Sequence, residues 1–175
     1  MNSGRHVILK GSFQPTENGA LRVGDIDPDS QIEITVYLRA PSLPDPDAML
    51  AEPLSREQFE SKYGARRADA VKVARVLKAY GLNIEETSLA ERCLRVSGSA
   101  AAMEAAFEPH LGVYQSAGQY EFLGREGELK IPAELDGIIK GVFGFDQRRI
   151  SRPLHSRQPS PILNSHCLLK NSKQG

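Results

Sequence analysis

Gln31–Ala40 reads QIEITVYLRA, with Ile32, Ile34, Val36 and Leu38 at alternate positions and Glu33, Thr35 and Tyr37 between them. In an extended chain, successive side chains point to opposite faces, so this spacing hides one row and wets the other. The stretch is predicted to be a half-buried strand. A strand with one apolar face needs a second layer to cover it, and the sequence downstream supplies candidates.

After the proline-rich loop PSLPDPDAML, Ser55 and Gln58 stand three apart, the spacing of a capping box, and predict a helix that carries Phe59 and Tyr63 one turn apart and stops at Gly64. A second helix is predicted from about Asp69, with Val73, Val76, Leu77 and Tyr80 on one stripe, Lys72, Arg75 and Lys78 facing away, and Gly81 as its stop. LNIEETSLAERCLRVSG reads as two strands with a turn near Ser88–Glu91. Ser99 then caps an alanine-rich helix bulked out by Met103 and Phe107, with Pro109 closing it. HLGVYQSAGQYEFLG is predicted to form a hairpin. ELKIP is predicted to be a short strand, and a short helix bearing Leu135, Ile138 and Ile139 follows it.

The order strand, helix, strand, strand, helix, strand gives an α+β fold of the ferredoxin-like, split βαβ kind, with two helices on one face of a four-stranded antiparallel sheet. Three zones are expected along the 175 residues: a flexible N-terminal arm over 1–30, poor in apolar positions; one domain over 31–147; and a C-terminal linker or tail over 148–175, which has no hydrophobic period.

Charges balance, 22 basic against 22 acidic, so no global field draws the chain to nucleic acid or to an anionic membrane. No apolar run is long enough to span a bilayer, and MNSGRHVILKGSF lacks the apolar core of a secretory signal. Cys93 and Cys167 make no disulfide framework, and Cys93 is expected to be a buried free thiol. The four histidines, His6, His110, His155 and His166, stand apart without metal-ligand spacing. Neither KGSFQ nor VSGSAAA provides a nucleophile elbow, and Glu85-Glu86 and Glu126 with Glu128 read as solvated turn and edge carboxylates. No residue is assigned a catalytic, cofactor-binding or metal-ligating role, and no enzyme is expected.

One alternative has a sequence feature behind it. KGVFGF, Lys140–Phe145, partly imitates the basic-glycine-aromatic motif of ferredoxin-like RNA-binding modules, which stack bases on adjacent aromatics of a central strand. Here the aromatics follow a predicted helix, and Val142 interrupts the alignment. The basic helix face, Lys72, Arg75 and Lys78, reads as an ordinary solvated one. Nucleic acid is therefore the lesser reading.

Three stretches together, LSREQFESKYGARRADAVKVARVLKAYGLNI, LRVSGSAAAMEAAFEPHLGVYQSAGQYEF and LKIPAELDGIIKGVFGFDQR, resemble the activation (pro-) domain of the sedolisin, or pro-kumamolisin, family of serine-carboxyl peptidases. The resemblance covers roughly Ile32 to Pro153. It implies a ferredoxin-like prodomain that assists folding of the peptidase and keeps it inactive until acid triggers processing. The implied partner is a sedolisin-type catalytic domain, in cis or in trans. The catalytic Ser-Glu-Asp residues and the calcium site of the family belong to that domain and have no counterpart here. Secretion is what the family implies, although no signal peptide is visible.

Under this resemblance Phe143, Phe145 and Asp146 are candidate contacts with the peptidase. The segment Arg148, Arg149, Ile150, Ser151, Arg152, Pro153, Leu154 and His155 is the candidate linker that crosses its cleft, where Pro153 favours an extended path. Asp146, Glu126 and Glu128 are candidates for the acid-sensitive groups. The sequence departs from the family at Glu108-Pro109, where a glycine commonly follows AAF, and a changed helix exit is expected there.

Overall fold

The alternation of Gln31–Ala40 is realised: Ile32, Ile34, Val36 and Leu38 are all buried, while Gln31, Glu33 and Tyr37 are exposed. The computed structural model describes residues 4–15, 20–41, 54–116 and 120–147. In chain order the elements are β1 (His6–Ile8), β2 (Leu21–Gly24), β3 (Gln31–Leu38), α1 (Arg56–Tyr63), α2 (Arg67–Ala79), β4 (Asn83–Ser88), β5 (Cys93–Ser99) and α3 (Ala100–Phe107). They continue with β6 (Leu111–Gln115), β7 (Glu121–Arg125), β8 (Lys130–Pro132), a single 3-10 turn (Ala133–Leu135) and β9 (Ile139–Phe143).

Four strands, all antiparallel to their neighbours, form a sheet in the order β4-β5-β3-β9. The inward row of β3 and Leu94 and Val96 of β5 share one apolar cluster with Val73 and Leu77 of α2 and Met103 and Phe107 of α3. Each such fully buried side chain contributes about 1.5–3 kcal/mol relative to leaving it in water. Helices α2 and α3 thus lie on one face of the sheet, and among the described residues no helix lies against its other face. The result is α+β.

Local chemistry sets the helix ends where the sequence places them. Ser55 Oγ accepts from Gln58 N–H at 3.2 Å and Ser55 N–H donates to Gln58 Oε1 at 2.8 Å, which completes the capping box of α1. Gly81, at φ +84°, takes the left-handed turn after α2; its N–H bonds to Lys78 O and that of Leu82 to Leu77 O, satisfying carbonyls that would otherwise be orphaned. Ser99 caps α3 by accepting from Ala102 N–H. At the other end of α3, Glu108 adopts φ +43°, the left-handed conformation a glycine would take more easily. Its carboxylate is held by Lys130 Nζ at 2.7 Å.

Three expectations need correction. Two segments of the presumed N-terminal arm are strands: β1 pairs with β8, β2 with β6, and Gln14 bridges to Gly127. Their own sequences are too short to announce this, because their ladder partners lie far along the chain, at Leu111–Gln115 and Lys130–Pro132. Next, the predicted helix through Leu135, Ile138 and Ile139 is only the 3-10 turn, and Ile139 opens β9. β9 closes the otherwise free edge of β3, in a register that sets Tyr37 opposite Gly141 and Thr35 opposite Phe143. An unpaired edge there would leave a row of backbone donors and acceptors unmatched. The hairpin β6–β7 forms as expected but joins β2 in a separate three-stranded sheet. A small core of Ala20, Tyr114 and Phe122 packs there, with the two rings stacked at 5.9 Å.

Candidate functional site

Of the exposed large hydrophobic side chains, Tyr37 and Phe143 share the helix-free face of the four-stranded sheet, while Ile8, Phe13, Leu21, Val23 and Val71 lie outside its strands. The rows of that face are the outward positions of the strands: Glu33, Thr35 and Tyr37 from β3, Arg95 and Ser97 from β5, Glu86 from β4, and Phe143 from β9.

At the β3–β9 edge, Tyr37 and Phe143 meet edge to face, ring centroids 5.6 Å apart and planes at 83°. Phe143 is 63% exposed and Tyr37 41%. The sequence builds this pair through Gly141. A Cβ added at 141 would sit 2.8 Å from Phe143 Cε2, so only glycine lets the ring lie back over the strand toward Tyr37. Two large aromatics left this open on an otherwise well-packed sheet are a surface in want of a cover.

Beside the aromatics, Arg95 bridges two strands, its Nε 3.1 Å from Glu33 Oε1 and its Nη1 3.2 Å from Glu86 Oε2. The hydrogen bond and charge of Glu33, then the charge of Glu86, raise the pKa of its guanidinium above the ordinary value. Side chains this exposed add little to stability, because water screens them. What they do is hold a charged patch in a fixed array next to an apolar one. Two carboxylates, Glu33 and Glu86, flank the one guanidinium, and Ser97 Oγ donates to a third, Glu85, on the same pair of strands. Cys93 is a buried free thiol, as the sequence suggests; burial, then the charge of Glu91, pushes its pKa up, away from the reactive thiolate.

The candidate contacts part company. Phe143 lies on this face. Phe145 does not: it is 1% exposed and packs against Phe107 with centroids 5.8 Å apart, so it is a core residue and not a contact. Gly144 separates them. At φ +114° it turns the chain through the plane of the sheet, so residues two apart, which a regular strand would put on one side, end on opposite sides. Asp146 lies at the three-stranded sheet, where its Oδ2 accepts from Gln14 Nε2. Glu126 also belongs there, beside the Tyr114 hydroxyl, whose pKa is pushed up to about 12 by burial first and by Glu126 second. Arg148 to His155 lie outside the described residues.

Sequence reasoning missed Tyr37, Arg95, Glu33 and Glu86 as members of a surface. The signal was present in the polar row of β3, but which strands flank that row is not written locally. The same geometry bears on the nucleic-acid reading, which needs both phenylalanines side by side on an exposed central strand. β9 is an edge strand and one of its two phenylalanines is buried. Among the described residues no group of three His, Cys, Asp or Glu side chains could hold a metal ion, and no helix is long and apolar enough to cross a membrane.

The sequence profile of the family described as "Pro-kumamolisin, activation domain" matches residues 18–148. The chain is similar to tripeptidyl-peptidase sed5 of Aspergillus fumigatus, 28% identical over 164 residues that take in 80% of this chain and 28% of that protein. It is similar also to kumamolisin of Bacillus sp. strain MN-32, 26% identical over 160 residues, 85% of this chain and 29% of that one. The chain therefore spans less than a third of the length of either relative.

Proposed function

Because this chain belongs to the pro-kumamolisin activation domain family, we propose that it is the propeptide of a sedolisin-type peptidase, a non-catalytic unit that templates the enzyme's folding and holds it inactive. The observation that carries the reading is the helix-free sheet face, with Tyr37 and Phe143 exposed side by side and the Arg95 array next to them. Exposed aromatics beside ordered charges are the usual anchors of a protein interface. The strand order β4-β5-β3-β9 with helices between its members is read as the split βαβ arrangement. In that arrangement one sheet face is left to lie against helices of the peptidase, and the chain beyond residue 147 runs on into the substrate cleft. The propeptide binds no metal or cofactor of its own in this reading.

Release in acid follows from the charges of the face. Carboxylates that pair with basic groups of the peptidase favour the complex while ionised; once protonated they lose that pairing, and the complex weakens as pH falls. Glu33 and Glu86 on the face join Glu126 and Glu128 as the groups to test, whereas the Asp146 carboxylate is engaged by Gln14.

The test is direct. The purified chain is added to sedolisin-type peptidases over a series of pH values. Inhibition near neutrality that fades in acid is expected. A chain that inhibits several such enzymes at no pH overturns the proposal.

A further inference from the structure

The last described residues do not trail off the fold; they are fastened to it at three successive positions. Phe145 is sunk in the core against Phe107. Asp146 Oδ2 accepts a hydrogen bond from Gln14 Nε2. Gln147 N–H donates to Leu123 O at 2.9 Å, which lays the departing backbone along β7.

Gln14 is itself held with more bonds than a surface glutamine requires. Its N–H donates to Gly127 O at 2.9 Å and its carbonyl accepts from Gly127 N–H at 2.8 Å. Around it, Arg125 donates to Ser12 O at 2.7 Å and to Gly127 O at 2.9 Å, and Leu129 N–H donates to Ser12 Oγ at 2.8 Å. The N-terminal segment is thus pinned as a strap, and its outcome at Asp146 is a side-chain bond between residues near the two ends of the described chain. Gly144 contributes on the other side, since its φ of +114° and close approach to Glu33 O allow only glycine and fix the turn into Phe145.

We propose that Gln14 is a positioning residue that acts through Asp146, so that the N-terminal strap fixes the point and direction at which the chain leaves the domain. In the propeptide reading, on which the functional half of this inference rests, a fixed exit sets the point on the domain from which the chain enters the peptidase cleft. Holding Phe145 to Gln147 in advance removes part of the entropy that docking otherwise costs. The strap and the exit are one device, although the sequence separates them by the whole domain.

Two measurements on the full chain separate the device from its use. Cys93 and Cys167 are first replaced by serine, and nitroxide labels are placed at Gln147→Cys, the last described residue, and at exposed Thr87→Cys. The distance distribution between them is then recorded by pulsed electron resonance without any peptidase. A narrow distribution is expected for the otherwise unchanged chain, and a clearly broader one for Gln14→Ala and for Asp146→Ala. Asp146→Asn keeps an acceptor for Gln14 and is expected to stay narrow, with thermal midpoints close together across the set. A broad distribution before any clamp substitution overturns the clamp, as does a narrow one in Gln14→Ala or an Asp146→Asn variant as broad as Asp146→Ala. Separately, Gln14→Ala and Asp146→Ala are each expected to weaken inhibition of a sedolisin-type peptidase by about tenfold, the worth of ordering roughly one residue, while Asp146→Asn retains it. If the distances behave as expected while inhibition by Gln14→Ala is unchanged, the clamp stands and its role in docking is overturned. If the unsubstituted chain inhibits nothing, the propeptide reading fails and the distance result still decides the clamp.

Discussion

Phe143 meets Tyr37 edge to face at 5.6 Å on the helix-free side of the sheet, a contact made by the register of β9 on β3 and by the absence of a side chain at Gly141. Both rings remain largely open to solvent. Their removal is therefore expected to touch partner binding more than folding. Phe143→Ala and Tyr37→Ala should each change unfolding stability by less than about 1 kcal/mol. Each should weaken inhibition of a sedolisin-type peptidase by about 2 kcal/mol, some thirtyfold, as aromatic anchors of interfaces do. Inhibition constants beside urea unfolding curves for the same variants check this; a loss of stability that matches the loss of inhibition would place the rings in the fold and not in the interface.

Phe145, two residues along, should behave in the opposite way. It is 1% exposed against Phe107, so Phe145→Ala leaves a cavity as well as losing burial. A cost of about 3–5 kcal/mol is expected. Urea or thermal unfolding of the isolated chain measures it, and a cost under about 1 kcal/mol would mean that the ring is not in the core.

Gly144 is the hinge between those fates. At φ +114°, a Cβ would come within 2.7 Å of Glu33 O and 3.0 Å of Ile34 Cα, so neither backbone nor space admits alanine. Gly144→Ala is expected to destabilise by about 1–3 kcal/mol. A control at Gly24, where nothing lies within 4 Å of an added Cβ and φ is not in the left-handed range, should lose much less in the same melting experiment.

Glu108 makes the fold sensitive to acid. Its carboxyl is held below the ordinary value of 4.5, first by the hydrogen bond from Lys130 and then, against some desolvation, by the charges of Lys130, His6 and His110. A carboxylate depressed in the folded state contributes stability that is present above 4.5 and is lost as pH falls through the folded value. Melting temperatures of the chain and of Glu108→Gln should therefore differ near neutral pH and converge below pH 4.5. The side chain is 36% exposed, so the difference is expected to be small and to shrink with added salt. Curves that run parallel at every pH would remove Glu108 from the acid response.

The strand Gln31–Leu38, the capping box at Ser55 and Gln58, the stops at Gly64 and Gly81 and the cap at Ser99 were all legible, because each depends on residues within one turn or one strand of each other. The match to the activation-domain family likewise needs only residue order. Glu108-Pro109 departs from the family pattern at the helix exit, and the structure gives that departure its form, a non-glycine residue in the left-handed region tied down by Lys130.

What the chain could not say locally is where strands find partners and which side of a layer a residue reaches. β1, β2 and β9 are short and poor in pattern; they become strands because β8, β6 and β3 offer edges whose backbone groups need matching, and that offer exists only once the domain has closed. Phe143 and Phe145 make the point most sharply. Sequence by itself set two phenylalanines around a glycine; tertiary structure sent one to the surface and one to the core, because the space and the positive φ at Gly144 are set by Glu33 and Ile34 on a strand about a hundred residues earlier in the chain.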